Sequence, residues 1–175
     1  SEESHTLVDK QILELYLNFV RIKELSTSLS CLLPIIKIDD PFIAEAIEVD
    51  VGGKSSYFNV LRHIGNLKPS IDSMIKKTDN AIWSSTELAL REILGVLQIL
   101  NEDKFYRDLN IIPGVSGDEG SEWISPWELI NSDSPSDEQR QLLIHLEKHI
   151  HGYMNNDDSL MTASLHDYNT LIYSN

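Results

Sequence analysis

Cysteine is almost absent from this sequence, since Cys31 is the only one among 175 residues. No disulfide can form within the chain, and no Cys-x-x-Cys pair is present to hold a metal. Glycine and proline are also sparse, with eight and six residues, which favours helices over many short strands. A chain of this length buries roughly two-thirds of its unfolded surface, so it folds without cross-links. We predict one domain over residues 1–175.

Basic residues are scarce as well: 14 Lys and Arg stand against 28 Asp and Glu, giving a net charge of −14. Binding a phosphate backbone needs a local surplus of cations, and the densest basic patch is the dipeptide Lys76-Lys77. We therefore expect no binding to nucleic acid or to a membrane. We expect a protein partner, and the negative charge of the chain suggests that this partner is basic. No signal peptide or bilayer-length apolar run is found, from which we expect a cytoplasmic or nuclear protein.

Helical periodicity is the strongest positive signal, and it is clearest near the start of the chain. Apolar residues there alternate at spacings of four and three, with one polar break at Ser26. The stripe consists of Val8, Ile12, Leu15, Phe19, Ile22, Leu29 and Leu33. This pattern predicts one continuous helix as far as Pro34, whose coiled-coil-like stripe requires a partner of equal length. If its own domain cannot cover that stripe, we expect oligomerisation through this first helix.

Further helices are predicted over 57–77, 84–107, 136–153 and 161–172, where apolar residues again recur at helical spacing. Ser84 with Glu87, and Ser136 with Gln139, have the spacing of capping boxes. Pro69 lies inside the second helix and is expected to kink it. Phe105, Tyr106 and Leu109 extend the third stripe.

Two segments lack this periodicity. Residues 34–56 are predicted to be an irregular connection, with a short helix after Asp40 or a strand over 47–51 as alternatives. Residues 110–136 form a long irregular acidic segment between helices three and four. The predicted fold is therefore all-α: an up-and-down bundle of about four main helices with a short C-terminal helix.

Histidines provide the only candidates for metal chemistry. His145 and His149 are four residues apart on a predicted helix, which is the spacing that two metal ligands require. The general-base glutamate of the His-Glu-x-x-His motif is missing, and these two remain weak candidates. We expect no cofactor.

A second histidine segment resembles the phosphoacceptor region of sensor histidine kinases. His63 is followed by Asn66 and Pro69 on the first helix of a predicted hairpin. That resemblance implies phosphotransfer at His63. The sequence departs from the family's pattern at Ile64, where an acidic residue is usual, and at Pro69, which comes late.

An apolar island interrupts the acidic segment, and it is the candidate for partner binding. Trp123, Ile124, Trp127 and Leu129 lie close together, and the two tryptophans can share one face of a helical turn. Such a cluster either closes an end of the core or anchors a partner, since Trp dominates interface hot spots.

No catalytic motif is present, which favours a non-enzymatic protein–protein interaction module, a subunit or adaptor domain of a larger assembly. The alternatives are an acidic inhibitor or immunity-type protein that binds a basic partner, and a helical domain that uses histidine for metal binding or phosphotransfer.

Overall fold

A computed structural model describes residues 7–77, 83–102, 109–114 and 122–173. The described chain is mostly helical, which confirms the predicted class in its coarse form. The helices are α1 (Leu7–Ser28), α2 (Pro41–Ala46), α3 (Tyr57–Arg62), α4 (Ile64–Lys76), α5 (Ser85–Glu102), α6 (Pro126–Ile130), α7 (Asp137–Asn155) and α8 (Asp158–Tyr173), with a short 3-10 helix at Ser30–Leu32. The two strands are β1 (Ile36–Ile38) and β2 (Gly53–Ser55).

The first helix ends earlier than its apolar stripe predicts, because α1 stops at Ser28 instead of continuing to Leu33. Hydroxyl side chains compete with the helical backbone at this point. Thr27 donates from Oγ1 to the carbonyl of Lys23, and Ser30 donates from Oγ to the carbonyl of Thr27. The indole of Trp127 donates to the same Thr27 carbonyl at 3.2 Å, which adds a contact from the core at the point where α1 ends.

The connection over 34–56 is more regular than predicted, and it corrects the purely α-helical class. Strands β1 and β2 pair antiparallel, with Ile36 opposite Ser55. Within β1 the isoleucines are buried and Lys37 between them is exposed, as expected for a strand with one face on the core. Of the two alternatives, the helix is confirmed: Asp40 caps α2 by accepting from the amide of Ile43.

The helix predicted over 57–77 is interrupted, but at a different place from the one expected. Helices α3 and α4 meet at His63, six positions before Pro69, and Pro69 lies inside α4. The ring nitrogen Nδ1 of His63 lies 3.0 Å from the carbonyl oxygen of Asn59. The imidazole thus occupies the last turn of α3, where it takes part in ending that helix.

The predicted capping box of the third helix is confirmed at the start of α5. The amide of Glu87 donates to Ser84 Oγ, and the amide of Ser84 donates to Glu87 Oε2 at 2.7 Å. Lys77 and Ser73 from the end of α4 also donate to this buried carboxylate. The Lys77 ammonium lowers the pKa of Glu87 to about 2. One glutamate therefore joins the end of α4 to the start of α5, while the turn at 78–80 and the residues Phe105 and Tyr106 lie outside the described part.

The last two helices form a tight hairpin. Helix α7 has the predicted Ser136–Gln139 capping box and ends at Asn156, whose φ of 54° places it in the left-handed region that asparagine tolerates. Helix α8 returns antiparallel to α7, and it is longer than the short C-terminal helix predicted. Gly152 of α7 is buried against it. A Cβ atom there would lie 2.9 Å from Met161 Cγ and 3.1 Å from the carbonyl oxygen of Asp157.

Gly152→Ala is expected to destabilise the protein by about 1–3 kcal/mol, because the added methyl overpacks the contact between α7 and α8. Gly95→Ala is the matched control, since Gly95 lies inside α5 with no atom within 4 Å of the added Cβ. This control is expected to stabilise the protein by about 0.5–1 kcal/mol through helix propensity alone. Urea unfolding of both variants measures the difference. Equal changes in the free energy of unfolding would contradict the close helix contact.

The core lies between the small sheet and the helices α2 to α7. Its largest fully buried side chains are Trp127, Leu32, Ile38, Ile43, Ile47, Leu67, Leu90 and Ile112. Helix α1 contributes little to it. Among the described side chains of α1, only Ser28 is buried.

Candidate functional site

One face of α1 is an exposed apolar surface of the described chain. Five of its side chains, which we call the seam, are each 60% to 70% exposed. The seam consists of Val8, Ile12, Leu15, Phe19 and Ile22. These are the residues whose spacing predicts a coiled-coil stripe, and monomeric proteins rarely leave a continuous apolar patch of this kind uncovered. The seam is therefore the first candidate for a functional surface.

The seam faces away from the rest of the domain. At about 100° per residue, Arg21, Glu24 and Ser28 lie on the side of α1 opposite to Phe19 and Ile12. That opposite side approaches the domain: Arg21, Glu24 and Ser28 line a shallow pocket, whose lining also includes Leu25 at the edge of the seam, and Leu109. The seam therefore lies on the side of α1 away from this pocket.

Attachment of α1 to the domain occurs at its C-terminal end. Trp127 Nε1 donates to the Thr27 carbonyl and to Ser30 Oγ, both at 3.2 Å. The Trp127 ring packs on Tyr57, with ring centroids 4.9 Å apart. These contacts fix the direction in which the helix leaves the core, while the seam lies beyond them.

The structure places most of the apolar island in the core, as in the first of the two alternatives given for it. Trp127 and Leu129 are 2% and 1% exposed, because α6 carries them inward from its Ser125–Glu128 capping box. Ile124 pairs its backbone with Ile112 and is half-buried. Only Trp123, at 45%, presents a large exposed surface. The island thus closes one end of the core, and Trp123 is the member left for contact with a partner.

His145 and His149 of α7 each lie beside a different residue of α8. His149 Nδ1 lies 3.1 Å from the carbonyl oxygen of Met161, and His145 Nδ1 lies 3.7 Å from Asp167 Oδ2. Burial lowers the pKa of His145, against the attraction of Asp167. Within the described ranges no group of three or more His, Cys, Asp or Glu is placed to hold a metal ion. His149 thus has a polar contact with α8, whereas His145 Nδ1 is buried and has no hydrogen-bond partner among the described residues.

His63 is enclosed on two sides. Its Nδ1 contacts the Asn59 carbonyl, and its Nε2 lies 3.7 Å from Glu48 Oε2. The side chain is 14% exposed. A phosphoacceptor imidazole needs an open nitrogen that a phosphodonor can approach, so the surroundings of His63 do not favour the phosphotransfer role.

A polar cleft is a further candidate site, and no motif in the sequence indicates it. Residues from β2, α3 and α7 line a cavity of about 280 Å³, among them Lys54, Arg62 and Lys148. Glu147 lies at its wall, where it accepts a hydrogen bond from the hydroxyl of Ser56 and lies 3.9 Å from Arg62 Nη2. Burial raises the pKa of Glu147, and the Ser56 and Arg62 contacts oppose that rise.

Glu147→Gln is expected to stabilise the protein increasingly as the pH rises from acidic to neutral. A carboxyl group whose pKa is raised on folding contributes most below its unfolded pKa and loses that contribution as the pH rises through its folded pKa. Glutamine keeps an acceptor for Ser56 and carries no charge to desolvate. The measurement is the difference in Tm between variant and wild type across this pH range. Glu48→Gln, in the same cleft, corrects for the loss of one negative charge, and a flat corrected difference would contradict the effect of burial.

Within the described residues, no helix combines the length and apolarity needed to cross a membrane. Comparison of the sequence with protein-family models and curated proteins, and of the fold with solved structures, finds no match.

Proposed function

We propose that this chain is a non-enzymatic protein–protein interaction module and that it binds through the seam of α1. The observation that carries the proposal is the exposure of five large apolar side chains on one face of a 22-residue helix. Leaving such a stripe in water costs free energy, because each large apolar side chain contributes about 1.5–3 kcal/mol when it is fully buried. A partner helix that covers the seam recovers much of that free energy.

The proposal also supplies a helix that packs along α1. Helix α1 requires a neighbour of similar length, and among the described residues the hydrogen bonds that join it to the domain lie near its C-terminal end. A helix from a partner would lie beside α1 as the adjacent helix of an up-and-down bundle does.

Photo-crosslinking in the cells that produce the chain tests this function. A photoreactive phenylalanine analogue replaces Tyr16, which borders the seam and is exposed. We expect an adduct of discrete mass that is lost with Leu15→Glu, in the seam, and kept with Leu17→Glu. The two leucines belong to one helix, are 70% and 47% exposed, and lie about 200° apart around the axis.

An adduct with a second copy or with another protein supports the proposed function, provided that it responds to these variants in this way. No discrete adduct, or equal yields from the two variants, would overturn it.

A further inference from the structure

We propose that the occupant of the seam is the same helix of a second copy of this chain, paired antiparallel. The inference rests on the proposed function and specifies the partner. The seam residues occupy the two apolar positions of a heptad repeat in turn. In an antiparallel coiled coil each layer of the interface joins a residue at one of these positions to a residue of the second copy at the other position. One register satisfies every layer of α1 at once: Ile12 faces Ile22 of the second copy, Leu15 faces Phe19, and Val8 faces Ser26.

Residue sizes are matched in this register. The two central layers each join Leu15 to Phe19, and the layers outside them join isoleucine to isoleucine. The polar Ser26 falls in the end layer, where water reaches it, instead of in the middle of the interface. The dimer can therefore form without burying the hydroxyl of Ser26 away from a hydrogen-bond partner.

The area of contact is large enough for a specific dimer. Five seam residues on each copy, together with Tyr16 and Leu25 at the edges, are about half to two-thirds exposed before association. Covering them buries roughly 1,000 Å² in total, which reaches the lower bound for a specific protein interface. The seam lies on the side of α1 away from the pocket that Arg21, Glu24 and Ser28 line.

Charge complementarity selects the antiparallel orientation. Asp9 and Lys23 lie on the same edge of the seam, one at each end of α1, with Tyr16 midway between them. In the antiparallel register, Asp9 of each copy lies beside Lys23 of the other. A parallel pair would instead place Lys23 beside Asn18 of the other copy, and Tyr16 beside Gln11. Only the antiparallel pair gains two symmetric contacts between opposite charges.

Sedimentation equilibrium of the purified chain, over a range of protein concentrations and at low salt, tests the pairing. We expect the wild type to be a reversible dimer. Asp9→Lys and Lys23→Asp each place like charges together twice, so each variant alone is expected to dimerise roughly ten-fold more weakly. An equimolar mixture of the two restores opposite charges at both contacts, and is expected to form a mixed dimer with about wild-type affinity. High salt should reduce these differences.

Matched controls for these charge changes lie on the other side of α1. Glu14→Lys and Lys10→Asp alter the net charge of the chain by the same amounts and lie away from the seam. They are expected to leave the dimerisation constant unchanged. Circular dichroism of every variant establishes that the helical content is kept.

Two results would overturn the inference. One is a wild-type chain that stays monomeric at all concentrations, and the other is a mixture of the two charge variants that dimerises no more tightly than either variant alone. Either one, together with a seam-dependent crosslink to a different protein, removes the second copy as occupant and leaves the proposed function standing. If the seam-dependent crosslink is absent as well, the proposed function fails with it.

Discussion

Trp127→Ala is expected to lower the free energy of unfolding by about 3–5 kcal/mol, which is the usual cost of removing a large aromatic side chain from a core. Trp127 is 2% exposed, packs on Tyr57, and donates from its indole to Thr27 and Ser30. For a chain of this size each kcal/mol lowers Tm by about 2–4 °C, so a fall of roughly 10 °C is expected. Thermal and urea unfolding measure both quantities.

Trp123→Ala is the matched control, because it removes the same side chain from the same segment. With 45% of its surface exposed, Trp123 is expected to cost less than half as much as Trp127. Trp127→Phe distinguishes the contribution of ring packing from that of the indole hydrogen bonds. It keeps most of the packing and removes the N–H that donates to the Thr27 carbonyl and to Ser30. A cost of about 1–3 kcal/mol is expected for that variant. Similar losses for Trp123→Ala and Trp127→Ala would contradict the inward position of α6.

Local signals in the sequence predict the helix starts well. The caps at Asp40, Ser84 and Ser136 are all confirmed, because a cap depends on residues within one turn of each other. The end of α1 involves, besides the local hydroxyls of Thr27 and Ser30, a hydrogen bond from Trp127, which lies 100 positions further along the chain. Periodicity within residues 8–33 cannot contain that contact, and the stripe alone therefore predicts too long a helix.

The missed sheet has a similar cause. Each strand has three residues, and Ile36 pairs with Ser55 across the whole of α2. Alternation over three residues is too short to be distinguished from a turn of buried helix. The pairing is stabilised by tertiary contacts, and these cannot be predicted from the local sequence of either strand.

For the candidate site, the sequence predicts which residues form the seam but not how exposed they are. Apolar periodicity is the same for a helix that packs inside its own domain and for one that awaits a partner. The two tryptophans are ambiguous in a similar way. Trp123 and Trp127 belong to one apolar island, and the sequence alone does not tell which ring is exposed and which is buried. The polar cleft joins Ser56 to Glu147, and no motif links positions so far apart.

Leu15→Glu is expected to abolish self-association while leaving the isolated domain almost as stable as the wild type. In the single chain Leu15 is 70% exposed, so the substitution should change the free energy of unfolding by no more than about 0.5 kcal/mol. In the proposed dimer the same carboxylate enters two layers beside Phe19, and desolvating it should weaken dimerisation by roughly 100-fold or more.

The readout is the dependence of Tm on protein concentration, because association stabilises a folded chain by mass action. The wild-type Tm should rise with concentration, the Leu15→Glu Tm should stay constant, and the two should converge at high dilution. Leu17→Glu, on the opposite side of α1, should follow the wild type. If Leu15→Glu instead lowered Tm at every concentration by the same large amount, the seam would be part of the domain's own core. Its exposure in the single chain would then be contradicted, and with it the reason for expecting a partner.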